Sequence, residues 1–487
     1  MATTRILDDD VIRFYEFGKP RTKDHLVATL GWGDQVKVLG PGKVELTRRK
    51  WDEKKKKYVS EAKICALPKG AKFRTDPLLK VRFIDVGQGD GAIIETPAGE
   101  LILVDGGEEQ HMRRYLNVAF AHILKTKPLP CAAIVVTHGD ADHFAGLTKV
   151  AEATRKAGEP MITAKRVLHN GLVKRGSPKA SNAKTAFGTS KTVGGVSYAT
   201  ELEQDVRTVS AAKMNKPFKE WAAALRKIGK PATSMKVMRV AHGDDPFNFI
   251  KTNPKNNNLA IEVLGPILDQ IGGKPALRLL KTPGGNGLSA SHTINGHSIV
   301  LKLVYQNVRF LFGADLNEES EDRLLTHATQ NNYSLTAEIL KVPHHGSADF
   351  SPRMLEAVKP VVSIVSSGDE NSAKEYIHPR AGLVGALGKY SRATVEKPLV
   401  YVTEMVAFMA RLGEIEMKAI KNGKVAKTAA QINNAYRKTA FGIVHVRTDG
   451  KRVLVSTHSG KDNTKESYAF HVNPVGDITF DPKTRVL

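Results

Sequence analysis

His138-Gly-Asp140-Ala-Asp142-His143 places two imidazoles and two carboxylates within six consecutive residues. They follow the apolar run Cys131-Ala-Ala-Ile-Val-Val-Thr137. A buried strand thus ends in a tight loop full of ionisable groups. Such groups are costly to bury unless something neutralises them, and divalent metal ions do so while activating water. Alternate residues of an extended loop project to one side, so His138 and Asp140 are candidates to share one ion. Asp142 and His143 are then available to a second ion, or Asp142 to orient and deprotonate the attacking water. A structural reading stands beside this one, with Asp142 as the N-cap of the helix that begins at Phe144.

Four further stretches carry similar groups. Arg309-Phe-Leu-Phe-Gly-Ala-Asp315 reads as a strand ending in a carboxylate. Leu340-Lys-Val-Pro-His344-His345-Gly-Ser347 pairs two imidazoles after another apolar segment, and Ile377-His378-Pro379 adds one more. Phe83-Ile-Asp-Val-Gly-Gln-Gly-Asp90-Gly-Ala-Ile-Ile-Glu-Thr-Pro-Ala-Gly-Glu-Leu-Ile-Leu-Val-Asp105-Gly-Gly107 reads as two strands around a Pro-Ala-Gly turn.

Together these motifs resemble the metallo-β-lactamase superfamily, whose usual loop is His-x-His-x-Asp-His. Asp140 stands where the second His would be. A carboxylate is a harder ligand than imidazole, so the site moves from a pure zinc preference towards manganese or magnesium. This variant is similar to the hydrolase domain of ComEC-type DNA-internalisation proteins. The resemblance implies an α/β fold, a four-layer αβ/βα sandwich with its site at the edge where the loops meet. It implies two divalent ions, Mn2+ or Zn2+ with Mg2+ a third candidate. His138, Asp140, Asp142, His143, Asp315 and His345 would hold them, Asp315 as the bridge, with Asp90 and Asp105 nearby. Asp142, His344 and His378 would serve as acid–base groups. The superfamily also supplies a His about two dozen residues before the bridging Asp. His292 lies 315 − 292 = 23 residues before Asp315 and ranks above His297. The ComEC branch has Asn and Ser in this region, matching Asn295 and Ser298, so the role of His292 stays open.

The positioning elements divide the chain in three. Residues 1–78 hold short β-like runs between Gly and Pro turns and read as a small β-barrel similar to SH3-type modules. A hairpin tip there, with Arg48, Arg49 and Trp51, is a candidate nucleic-acid contact or a solvated loop. Residues 79–400 alternate strands and helices, as an α/β catalytic domain requires. Within them, about 172–257 reads as a basic insertion. Its start, with Lys174, Arg175 and Lys179, is polar, rich in small residues and expected to be disordered when unbound, gripping substrate. Residues 401–487 read as a C-terminal extension completing or flanking the outer sheet, with a helix at 428–437 and a hairpin turning at Asp449-Gly450.

The whole chain of 487 residues carries a net charge of +23, which favours polyanionic partners, nucleic acid first. An aromatic content of 6 % leaves no obvious stacking platform and points to backbone-directed, sequence-tolerant contacts. No run of eighteen apolar residues suggests a membrane span, and the first ten residues show no signal segment. Two cysteines, one in a core strand, fit a reducing cytoplasm. The leading expectation is a metal-dependent phosphodiesterase acting on DNA or RNA, with a protein partner or a second copy left open. Its rivals are a small-molecule metallo-hydrolase, acting on a cyclic nucleotide, thioester, lactam or lactone, and a non-catalytic nucleic-acid binder.

Overall fold

The computed structural model describes residues 2–52, 57–155, 158–176, 179, 182–228, 235–250, 259–368, 378–392, 398–405, 420–421, 424–425, 439–440, 442–458, 466–481 and 485–486. The helix expected at 428–437 lies outside them, as do the side chains of Arg49 and Trp51. The chain separates into two compact units, Met1–Lys80 with Arg447–Asp449, and Val81–Val446 with Gly450–Leu487.

The first unit is antiparallel. Five strands run in the order Lys57–Ala66, Lys43–Asp52, Gln35–Gly40, Thr3–Leu7 and Phe73–Arg74, and Val11–Tyr15 pairs with Leu26–Gly31. Alternating residues such as Ile12, Phe14, Val36 and Val44 turn inward and build its core.

The second unit is a layered sandwich. In its first sheet, the strand Leu101–Val104 lies between antiparallel Ala92–Glu95 and parallel Leu129–Val135. Ile162–His169 and Lys236–Arg239 continue the parallel run. Both Leu101–Val104 and Leu129–Val135 are apolar almost throughout, as strands covered on both faces must be. The strands Ile443–Thr448, Arg452–His458, Glu466–Val472 and Ile478–Phe480 join the same sheet beyond Leu79–Phe83. The second sheet has the order Leu259–Gly265, Val300–Tyr305, Val308–Phe312, Ile339–Lys341, Val362–Val365 and Leu399–Val402.

Phe83 and Phe312 stack with ring centroids 5.8 Å apart, joining the inner faces of the two sheets. On the outer face of the first sheet, Ile134 and Val167 pack with Leu116, Phe144, Leu147, Trp221 and Leu225, from the helices His111–Ala119, Ala141–Glu152 and Lys216–Ile228. On the outer face of the second, Leu311 and Leu340 pack with Leu324, Met354 and Leu383, from Glu318–Gln330, Pro352–Val358 and Ala381–Lys389. The layers are helix, sheet, sheet, helix: the αβ/βα sandwich.

The basic stretch after residue 172 differs from expectation where it is described. Ala186 and Phe187 are buried with Leu172, Leu277 and Ile294, and Lys216–Ile228 is part of the main core. Composition suggested disorder because the segment is polar, basic and rich in small residues. Its few apolar residues suffice to anchor it. Phe218 closes over the metal loop so tightly that a Cβ on Gly139 would lie 2.4 Å from its ring. No described helix is long and apolar enough to cross a membrane.

Candidate metal centre

Four strand ends converge at one edge of the sandwich. Val104 leads to Asp105, Val135 leads through Thr137 to His138, Phe312 leads to Asp315, and Lys341 leads to His344 and His345. Strand ends are rigid mounts, and the turns leaving them are strained. Seven described non-glycine residues have positive φ, and four of them, Asp105, Ala314, His344 and His345, sit here. Such conformations cost about 1–3 kcal/mol each and persist only where surrounding contacts enforce them. Thr137 supplies part of that enforcement. Its N–H donates to Asp105 Oδ1 at 2.9 Å and its hydroxyl to Oδ2 at 2.6 Å.

Three imidazoles present the same nitrogen to a common centre, because their other nitrogen is held from behind. His143 Nδ1 donates to Asp105 Oδ2 at 2.9 Å. His345 Nδ1 donates to the carbonyl of Ser366 at 3.0 Å. His138 Nδ1 lies 3.3 Å from Ser298 Oγ, whose own proton goes to the carbonyl of Asn295. The Nε2 atoms of His143 and His345 are left 3.3 Å apart, and 3.2 and 3.1 Å from Asp315 Oδ2. His138 Nε2 is 3.9 Å from that oxygen. Asp142 Oδ2 lies 3.5 Å from His345 Nε2.

The electrostatics fit a cation. Burial opposes charge on His143, yet Asp315, Asp105 and Asp142 outweigh it and hold its pKa well above the usual imidazole value. His345 behaves likewise, with Asp315 and Asp90 overcoming burial. His138 goes the other way, held well below by burial and by the neighbouring His143. Burial would raise Asp142, but His143 and His345 keep it low. The positions where protons would sit between these nitrogens and carboxylates are those a metal ion takes. Asp315 Oδ1 is buried with no hydrogen-bond donor among the described residues. The residues therefore fit a divalent ion, held by imidazole Nε2 and carboxylate oxygen, with the outer hydrogen bonds fixing tautomer and ring orientation.

The tightest group of ligand-type atoms is Asp90, His143, Asp315 and His345, all within 4.8 Å of one another. Asp90 is the residue the sequence reading left outside the ligand set. Its carboxylate pairs with Lys341 and lies 3.2 Å from His345 Nδ1, on the side of the ring away from Asp315. It therefore supports His345 as Asp105 supports His143, while Asp142 faces Nε2. The signal was present in Gly87-Gln-Gly89-Asp90, a turn needing glycine. At Gly89, with φ of +107°, a Cβ would fall 1.8 Å from the carbonyl oxygen of Asp142. Only glycine lets this loop approach the metal loop so closely.

Several expected residues are placed otherwise. The helix after the loop starts at Ala141, so its N-cap position is Asp140 and not Asp142, and Asp140 makes no capping bond. Its carboxylate pairs instead with Lys174, and burial raises its pKa against the pull of that lysine. Arg175 is no solvent-facing cation: it is buried, paired with Glu201 at 2.6 Å, and donates to the carbonyl of Lys213. Lys179 is exposed. Arg48 pairs with Glu16 at 3.0 Å, which removes it from the free surface charge. His292 faces Asp349, its Nδ1 3.5 Å from Oδ2, and His297 turns to the carbonyl of Arg278 at 2.7 Å. Neither joins the converging group. His344 lies beside it, with Nε2 at 3.3 Å from the Asn295 amide, and its ring is 6.2 Å from that of His378.

Residues 84–209 match the pattern of the Metallo-beta-lactamase superfamily. The matched span holds Asp90, Asp105 and the metal loop and stops before Asp315 and His345. A mutant of the CmlA beta-hydroxylase is a similar solved structure. It is 11 % identical, with a TM-score of 0.30 over 68 % of this chain and 53 % of that one. This chain thus covers about half of that protein's length. No curated protein matches the sequence.

Proposed function

We propose that the protein is a metal-dependent phosphodiesterase acting on nucleic acid. A metallo-β-lactamase domain implies a metal-dependent hydrolase. The finer reading rests on the carboxylates Asp142 and Asp315 set among the imidazoles, in a chain of net charge +23. A basic protein gathers polyanions, and phosphate contacts by Lys and Arg are independent of sequence. The carboxylates favour manganese or magnesium beside zinc, as phosphodiester chemistry commonly uses.

The ion would be held by His143, Asp315, His345 and Asp142, with His138 at the margin. When bound it supplies Lewis acidity towards a phosphoryl oxygen and a more acidic water. The chain's own groups do the rest. Asp105 and Ser366 keep the imidazoles pointed inward. Asp142, whose Oδ2 lies 3.5 Å from His345 Nε2, is the acceptor for the water's proton. His344 has a buried Nδ1 without a hydrogen-bond partner among the described residues and is the group placed to exchange a proton with the leaving oxygen.

The test is incubation of pure protein with labelled single- and double-stranded DNA and RNA, in EDTA and then with manganese, magnesium or zinc, alongside Asp315→Asn. Metal-dependent cleavage that the variant lacks supports the reading. Metal-loaded protein that cuts none of these polymers, yet hydrolyses a thioester or lactone, overturns it.

A further inference from the structure

We infer that the centre holds one resident divalent ion, and that the ammonium of Lys174 occupies the place a second ion would take. This deepens the phosphodiesterase reading and rests on it only for the last step, the contact with substrate.

The two halves of the metal loop are unequal. His143 joins Asp315 and His345 in the tight group, with converging bare nitrogens and an orphaned carboxylate oxygen, and Asp142 Oδ2 faces His345 Nε2 at 3.5 Å. His138 and Asp140 lie further out, with Nε2 and Oδ2 separated by 4.0 Å. With Asp140 taken by Lys174, the donors left for a second ion are His138 and a shared oxygen of Asp315, 3.9 Å from His138 Nε2, and the remaining imidazoles are committed elsewhere. His292 faces Asp349 and His297 faces the carbonyl of Arg278. The residues that fill the gap are Asn295 and Ser298, which hydrogen-bond.

Asp140 is also engaged at both oxygens. One oxygen pairs with Lys174 Nζ. The other, Oδ2, lies 2.9 Å from the Asn295 amide nitrogen once that amide is oriented to satisfy both its ends, with Ser291 O at 3.2 Å. The carbonyl end of Asn295 then faces His344 Nε2. Each oxygen of Asp140 thus already faces a donor, and a metal ion would have to compete with the ammonium of Lys174 for it.

The backbone that carries Lys174 is held in place beside the metal loop. Its carbonyl accepts from the N–H of Asn215 at 2.9 Å, and the next N–H, of Arg175, donates to Ala186 at 2.7 Å. Buried Arg175 is tied to Glu201. The backbone is thus pinned on both sides of Lys174. A fixed ammonium beside a divalent ion offers charge to a phosphoryl oxygen without needing a second ion.

The experiment loads the full-length protein with Mn2+, removes loosely bound ion by gel filtration, and reads stoichiometry by elemental analysis and the electron paramagnetic resonance spectrum. No substrate enters, so the result is independent of what the enzyme cleaves. Wild type should carry one ion per chain with the spectrum of isolated Mn2+. Lys174→Met frees Asp140 and should rise to two, with the spectrum of a coupled pair, while Lys174→Arg keeps one. Lys174→Gln is carried alongside as a milder change, and retention of the first ion reports that each variant is folded. A wild-type protein that takes two ions overturns the proposal. So does a folded Lys174→Met and Lys174→Gln pair that both stay at one.

Discussion

Asp105 Oδ2 and His143 Nδ1 are 2.9 Å apart, both side chains wholly buried. The same carboxylate receives the N–H and the hydroxyl of Thr137. One residue therefore fixes the loop's backbone and the tautomer of its last imidazole. Partners of this kind are worth about 10–100-fold in metal affinity. Asp105→Asn should weaken manganese or zinc binding by that factor, read by competition with a chelating dye, while the far-ultraviolet circular dichroism stays native. Unchanged affinity would show that Asp105 serves only the turn.

Gly89 is tested through stability as well as activity. A methyl group there meets the carbonyl oxygen of Asp142 at 1.8 Å, on a backbone of φ +107°. One of the two loops must move. Gly89→Ala should lower unfolding free energy by about 1–3 kcal/mol, from the strain and the lost fit. It should also weaken metal binding, because Asp142 moves with its carbonyl. Denaturant unfolding with and without Mn2+ separates the effects. A variant as stable and as metal-avid as wild type would remove the close approach from the account.

The sandwich was legible because its strands are short apolar runs each ending in a ligand-type residue, a pattern that periodicity and spacing both expose. His138, His143, Asp315 and His345 are readable for that reason. Asp90 was harder. Its local sequence says turn, and only the fold brings it behind His345. Lys174 and Arg175 were readable as basic but not in their placement. A basic stretch of small residues looks solvated until a few apolar residues, here Ala186 and Phe187, pull it into the core. Asp140, expected to share an ion with His138, is turned to Lys174 instead, a long-range contact that no local rule contains.

Arg175 and Lys179 separate structure from surface charge. Removing Arg175 leaves Glu201, partly exposed, without its buried partner, a loss of about 1–3 kcal/mol. Lys179 is exposed, and a surface lysine contributes little to stability. Arg175→Met should therefore lower the unfolding midpoint, whereas Lys179→Met should leave it unchanged and, under the proposed nucleic-acid function, reduce the salt dependence of DNA binding by about one counterion. Fluorescence anisotropy across a salt series gives the second quantity. The opposite pattern, stability lost at 179 and salt dependence changed at 175, would contradict the assignment.

Glu321 gives a pH dependence whose sign can be fixed. Burial pushes its carboxyl up to about 8, against the N–H of Ser351, with Asp349 and Asp322 adding to the rise. The ordinary value is 4.5. Below that, folded and unfolded chains both hold the proton and the residue has no effect on stability. Between about 4.5 and about 8 the unfolded chain releases the proton while the folded chain keeps it, so unfolding becomes easier as pH rises. Above about 8 the penalty is complete, on the order of a few kcal/mol. Glu321→Gln holds a neutral group of the same shape at every pH. Its stability advantage over wild type should grow from pH 5 to pH 8 and then level off, measured by urea unfolding at constant ionic strength. A difference that is flat over this range would mean that Glu321 is ionised in the folded protein and that its neighbourhood carries a compensating cation.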